Sequence, residues 1–168
     1  IISVEEFLPN TPVGDRNVFS RKAPLRDSEG DITGILGVSL DVTEIRRADA
    51  RLRESEARFR SIFEYAPAYC YMVSLDGILL DVNKAALDAL GYSKDELIGK
   101  PIKMIYAPES FKQLERSLIE WRKTGLLKDV EMIILTKTGH KRTVLLSSNM
   151  VSSTDDNVQY AISVQKDI

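Results

Sequence analysis

Hydrophobic positions along this chain switch repeatedly between a period of two and a period of three to four. From residue 1 to 42, apolar runs alternate with polar residues and break at Gly14-Asp15 and Ser28-Glu29-Gly30, which predicts a three-stranded meander. From Thr43 to about Glu64 there is no Gly or Pro, and Ile45, Ala48, Leu52, Ser55, Phe59 and Ile62 recur at alternating steps of three and four. That spacing is the a/d seam of a heptad repeat, on a helix about three heptads long. Thr43 is placed to cap its start. Asp49 with Arg53, Glu54 with Arg58 and Glu56 with Arg60 are pairs four apart, each adding a few tenths of a kcal/mol. Ala48 and Ser55 bury little, so a dimer built on this seam would depend on the domains at its two ends. The alternative is a helix packed on its own domain through the same residues.

Ala66-Pro67 ends that helix. Tyr69 to Leu75 then reads as a strand, Asp76-Gly77 as a tight turn and Ile78 to Val82 as the partner strand. Asn83 is placed to cap a short helix that carries Ala86, Leu87 and Leu90 and stops at Gly91, and Ser93 with Glu96 forms a capping box for a further turn ending near Gly99. A longer helix over 108–124 shows Phe111, Leu114, Leu118 and Trp121 on one stripe. Three strands follow at roughly 127–136, 142–151 and 158–167. Two strands, then helices, then three strands predict an α+β fold: a five-stranded antiparallel sheet with helices on one face, preceded by a long linker helix and a partial three-stranded meander.

An internal repeat links the two ends. An ungapped offset of 126 lays residues 1–42 on 127–168, so that Val4, Glu5, Arg16, Val18, Val38 and Asp41 meet identical residues at Val130, Glu131, Arg142, Val144, Val164 and Asp167. Apolar meets apolar at Phe7 with Ile133, Phe19 with Leu145, Leu25 with Val151, Ile32 with Val158, Leu36 with Ile162 and Val42 with Ile168. Six identities alone carry little, but the turns coincide too: Gly14-Asp15 falls over His140-Lys141, and Ser28-Glu29-Gly30 over Thr154-Asp155-Asp156. We therefore read two copies of one meander. In the first, an apolar inner face including Phe7, Phe19 and Ile35 or their neighbours would be left to pack on something else, to pair with a partner chain or to be disordered.

Composition narrows the function classes. With 43% apolar and 29% charged residues, the chain is neither wholly disordered nor, lacking any uncharged apolar stretch near ~18 residues, a helical membrane span. A net charge of −2 offers no general field for a polyanion. Arg46, Arg47, Arg51, Arg53, Arg58 and Arg60 could suggest a basic helix for DNA, but Glu44, Asp49, Glu54, Glu56 and Glu64 lie among them, so we expect a solvated face and no nucleic-acid partner. Cys70 and His140 are each the single residue of their type, which excludes an intrachain disulfide and the usual Cys/His metal sites. No glycine-rich phosphate loop, paired carboxylates or Ser/His arrangement emerges, so no enzyme activity is expected within these residues. The chain opens on Ile1, which suggests a segment of a larger protein.

Several stretches, taken in order, resemble the PAS domain family, sensory modules of histidine kinases, cyclic-dinucleotide enzymes and transcription regulators. They are Phe63-Glu64-Tyr65-Ala66-Pro67, Asp76-Gly77, Val82-Asn83-Lys84-Ala85-Ala86, Leu90-Gly91-Tyr92-Ser93-Lys94-Asp95-Glu96-Leu97-Ile98-Gly99-Lys100, Lys137-Thr138-Gly139 and Asp41-Val42-Thr43-Glu44. The resemblance implies residues 1–42 as the final strands of a truncated preceding PAS domain, 43–66 as a signalling linker helix and 67–168 as a complete PAS domain. It implies a sensory or relay module of a bacterial or archaeal signalling protein, a sensor histidine kinase of a two-component system or a cyclic-dinucleotide enzyme. Such a module would act through ligand binding, dimer rearrangement or both, the alternative being a ligand-free dimerisation module of a transcription regulator. Asp41, Thr43 and Glu44 would couple sheet to helix, with Asp167 doing the same at the far end. Ile45, Ala48, Leu52, Phe59 and Ile62 would form the seam of a homodimer. Neighbouring signalling domains would be the other partners. The location implied is cytoplasmic, without direct membrane contact, even where the parent is membrane-anchored.

The family's cofactor chemistry is not expected here. Covalent flavin photochemistry requires a cysteine after the short helices, where this chain reads Lys100-Pro101-Ile102-Lys103-Met104-Ile105-Tyr106, and a haem ligand would be a histidine on the long helix, which has none. Cys70 reads as an ordinary buried cysteine and His140 as a solvated turn residue. What remains is a cavity between sheet and helices for no ligand or a small organic one. Its candidate lining is Met72, Leu87, Ile105, Tyr106, Trp121, Met132, Leu146, Ser148 and Ile162, residues that fit a filled core equally well. Trp121 is the one of these that could stack on a flavin ring.

Overall fold

A computed structural model describes residues 1–152 and 159–168. The turn at 154–156 and Val158, read above as part of the last hairpin, lie outside the described residues. The chain divides into two compact units, Ile1–Arg58 and Phe59–Ile168.

In the first unit, β1 (Ile2–Leu8), β2 (Arg16–Arg26) and β3 (Ile32–Asp41) form an antiparallel sheet in the order β1-β2-β3. Helix α1 (Thr43–Tyr65) follows β3 after a single residue and runs across the boundary between the units. Of the three expected acid–arginine pairs on it, Asp49–Arg53 closes at 2.9 Å and Glu54–Arg58 at 3.1 Å. Glu56 and Arg60 make no ion pair among the described residues.

The second unit is an α+β fold. Its strands are β4 (Tyr69–Ser74), β5 (Leu79–Val82), β6 (Leu126–Leu135), β7 (Lys141–Ser152) and β8 (Gln159–Asp167), in one antiparallel sheet ordered β5-β4-β8-β7-β6. Between β5 and β6 lie α2 (Lys84–Leu90), α3 (Lys94–Leu97), two short 3-10 turns and α4 (Phe111–Thr124). Local chemistry sets these boundaries. The Asn83 side chain accepts the Ala86 N–H to start α2, and Gly91 ends it in the left-handed conformation at φ 76°. Ser93 and Glu96 form a reciprocal capping box on α3. Gly125 stops α4 at φ 72°.

Strand alternation sends Tyr71, Val73, Val144, Leu146, Ser148, Ala161, Ser163 and Gln165 to the buried face of the five-stranded sheet. There they meet Ala86 and Leu90 of α2, Leu97 of α3, and Leu114 and Trp121 of α4 in a single core.

The repeat read from sequence has a structural counterpart. Val18 pairs with Asp41 as Val144 pairs with Asp167, Ser20 with Ser39 as Leu146 with Gln165, and Val4 with Ser20 as Val130 with Leu146. The two meanders therefore share one register through their central part, offset by 126, and part from it at the irregularities Leu127/Val130 and Leu25/Arg26. That register corrects one expectation. Phe7 and Phe19 share a face with Leu40, whereas Ile35 points to the opposite face, because each one-residue step along a strand changes sides. Phe7 and Phe19 correspond to Ile133 and Leu145 on the outward face of the larger sheet, while Ile35 corresponds to the inward-facing Ala161.

Candidate functional site

The second unit encloses a cavity of about 40 Å³ between its sheet and helices. Val73 and Ser74 line it from β4, Leu127 from β6, Leu146 and Ser148 from β7, and Ala161 and Ser163 from β8. Leu114, Ser117, Leu118 and Trp121 close it from α4, and Ile102 and Tyr106 from the segment between α3 and α4. Its walls are mostly apolar but carry several hydroxyls. Ser163 Oγ donates to Ser148 Oγ at 2.9 Å, and Gln165 Nε2 donates to the Tyr106 hydroxyl at 2.5 Å. Burial raises the Tyr106 phenol well above its ordinary range, so it stays protonated at any physiological pH. Tyr71 is raised in the same way, by burial first. Three buried polar atoms find no partner among the described residues: Trp121 Nε1, Gln165 Oε1 and the Tyr71 hydroxyl.

Of the nine residues expected to line a pocket, Tyr106, Trp121, Leu146 and Ser148 do so. Met72 and Ile162 do not: they alternate with Val73 and with Ala161 and Ser163, and therefore stand on the outward face of the sheet. Ile105 and Met132 are core residues away from the cavity, and Leu87 packs half-buried against that core. Large side chains were expected to face inward. Small ones do at Ser148, Ala161 and Ser163, and this is why space remains there. Pairing β8 against β7 would have given the right phase, since Ser148 stands opposite Ser163.

Asn83 has a larger role than its cap. Its Oδ1 also accepts the Cys70 N–H at 3.0 Å, and its Nδ2 donates to the carbonyls of Ala68 at 2.9 Å and Ala66 at 3.3 Å. One fully buried amide thus ties the end of α1 and the start of β4 to α2. Cys70 is buried, its thiol pushed up by desolvation.

At the β3–α1 junction, Asp41 Oδ1 accepts the Thr43 N–H at 2.9 Å, while Thr43 Oγ1 accepts the Asn17 N–H of β2 at 2.8 Å. Asp41, not Thr43, therefore supplies the acceptor at the helix start; the threonine hydroxyl is engaged by the sheet. Hydrogen bonds from Thr43, and then the charge of Arg16 at 3.1 Å, hold the Asp41 carboxyl below its ordinary pKa. Glu44 pairs only with Arg47, one helical turn on, at 2.9 Å. Arg46 reaches back from α1 to Glu5 of β1 at 2.6 Å. At the far end, Asp167 is met by Arg142 at 3.0 Å and by the Tyr69 hydroxyl at 2.5 Å. Arg16–Asp41 and Arg142–Asp167 are the same contact at the two equivalent places. On α1, Ile45, Ala48, Leu52, Phe59 and Ile62 are all exposed, Ile45 by 66% and Ile62 by 67%. Phe63, on another face, is buried and stacks on Phe59 with ring centroids 6.1 Å apart.

Comparison with known proteins matches these features to one family. The two-component sensor PprA of Pseudomonas aeruginosa is 35% identical over 95 residues, 56% of this chain and 10% of that protein. The probable diguanylate cyclase DgcE of Escherichia coli is 31% identical over 120 residues, 70% of this chain and 11% of that protein. The chain thus spans about a tenth of the length of these curated relatives. Among solved structures, the PAS domain of an HTR-like protein from Haloarcula marismortui superposes with a TM-score of 0.63 at 20% identity, over 73% of this chain and 99% of that one. Residues 67–168, more than half of the chain, match the sequence profile of the PAS domain, and the chain belongs to the PAS domain family.

Proposed function

We propose that this chain is a sensory and relay segment of a multidomain signalling protein. Residues 1–42 end a preceding PAS domain, α1 passes its state on, and the second unit is a further PAS sensor whose cavity accepts a ligand. The parent is of the histidine kinase or diguanylate cyclase kind, as the names of the relatives suggest, with its output domains as neighbours. The segment works in the cytoplasm; among the described residues no helix is long and apolar enough to cross a membrane.

The observation that carries this reading is the β3–α1 junction. Asp41 and Thr43 bind the helix start to two strands, so a shift in the meander is delivered to α1 rather than absorbed in a loop. An exposed seam at Ile45, Leu52, Phe59 and Ile62 then offers a second copy of α1 a surface to pair with. Native mass spectrometry of the purified chain tests it. A dimer is expected, and Leu52→Asp with Ile62→Asp should return it to monomer. A wild-type chain that is monomeric at micromolar concentration overturns relay through α1.

A further inference from the structure

The cavity in the second unit is small, and three hydrogen-bond donors around it are left unused by the described residues. Trp121 lines it, is 3% exposed, and its Nε1–H has no acceptor among the described residues. Ser163 donates to Ser148, which leaves the Ser148 hydroxyl proton to be given elsewhere. Tyr106 accepts from Gln165, which leaves the phenol proton in the same position. Among the described residues, no carboxylate, amine or guanidinium lines the space. An ionised guest would therefore lose its hydration with no opposite charge to offset the loss. A guest that accepts hydrogen bonds would instead satisfy groups that the fold leaves open, against a wall of Ile102, Leu114, Leu127 and Leu146 that suits a short alkyl part.

We infer that this cavity binds a small neutral organic molecule with a carbonyl-type acceptor, of the kind of a short-chain amide or ketone, seated with the acceptor on Trp121 Nε1. The inference rests on the sensory reading above and gives that sensor a ligand class. Size sets the limit. About 40 Å³ holds roughly three water-sized groups, so the guest has about three to five heavy atoms, too few for a flavin or a haem. A molecule that small binds with a dissociation constant no tighter than about a few micromolar.

Trp121 is the single tryptophan of the chain, so its emission reports the cavity directly. Acetamide titrated into the full chain should give a saturable emission shift and a matching rise in melting midpoint. Acetate, the same shape with a charge, should give neither. Trp121→Phe should weaken acetamide about tenfold, read by the melting midpoint, as the loss of one neutral hydrogen bond would, and Ala161→Ile, which fills the cavity, should abolish the response. A linear, unsaturating response, or an equal response to acetate, overturns the inference on the wild-type protein alone, whether or not either variant folds. The two readings fail separately. A chain that dimerises but ignores acetamide loses the ligand class and keeps the relay; one that binds acetamide but stays monomeric loses the relay and keeps the ligand class.

Discussion

Two meanders in this chain share their central register and have opposite fates. β6-β7-β8 is joined at β8 by β4 and covered on one face by helices; among the described residues β1-β2-β3 has no strand beyond β3. Identical side chains show the consequence. Val144 is wholly buried, while Val18, its counterpart, is only half-buried. Several inward-facing positions of the second meander have diverged: Ser148 and Ser163, which line the cavity, and Met150 and Gln165 beside them in the alternation correspond to Lys22, Gly37, Pro24 and Ser39. Outward positions have stayed apolar, with Phe7, Phe19, Leu36 and Val38 matching Ile133, Leu145, Ile162 and Val164. Backbone pairing and turn placement therefore specify the meander, and what covers it decides whether it becomes a core. The Arg16–Asp41 and Arg142–Asp167 contacts belong to the shared part.

The largest effect should come from the feature that only the second unit has. Asn83→Ala removes one amide and leaves the Cys70 N–H and the Ala66 and Ala68 carbonyls without that partner. Loss of a helix cap together with buried unpaired groups should cost about 3 kcal/mol. Urea denaturation followed by circular dichroism reads it. A loss below about 1 kcal/mol would mean that water reaches these groups and that the amide is not the tie it looks to be.

The next test uses the two identical valines. Val144→Ala deletes two buried carbons and should cost roughly 2 kcal/mol, about 0.8 per carbon plus a cavity contribution. Val18→Ala at the same register position should cost less than about 1 kcal/mol, since part of that surface is already in water and no tightly packed cavity is left behind. Equal losses would show that β1-β2-β3 is covered in solution, by a second copy or by another part of the chain.

Much of this contrast was legible in the sequence. Asn83, Gly91, the Ser93–Glu96 box and Gly125 are local signals, and each fixes a helix end where the structure has it. The repeat offset of 126 shows in the central strand register because hairpin pairing follows from neighbouring strands and their turn. The cavity was half legible. Tyr106 and Trp121 are bulky and draw notice, but β4 is apolar in both phases and β8 carries its large apolar residues, Tyr160, Ile162 and Val164, on the outward one, so size favoured Ile162 and Met72 over Ala161, Ser163 and Val73. Which phase faces inward depends on the helices above it, a long-range fact that no window of the sequence contains. Thr43 was misread for a related reason. A threonine at a helix start is normally its cap, and only the distant Asn17 N–H shows that its hydroxyl is spent elsewhere.

The smallest effect lies in the shared contact at the β3–α1 junction. The Thr43 hydrogen bonds, and then Arg16, hold the Asp41 carboxyl below its ordinary pKa. A carboxyl with a depressed folded-state value contributes stability above its unfolded value, near 3.9, and loses it as pH falls through the lower folded value. The junction should therefore be unchanged between pH 5 and 8 and open only in stronger acid. An NMR titration of the Asp41 carboxyl carbon should show a midpoint below about 3.9, and Thr43→Ala should move it upward, toward the unperturbed value. An ordinary midpoint in the wild-type chain would mean that Asp41 is not held by the helix start. The coupling of sheet to α1 would then have to run through Arg46 and Glu5 instead.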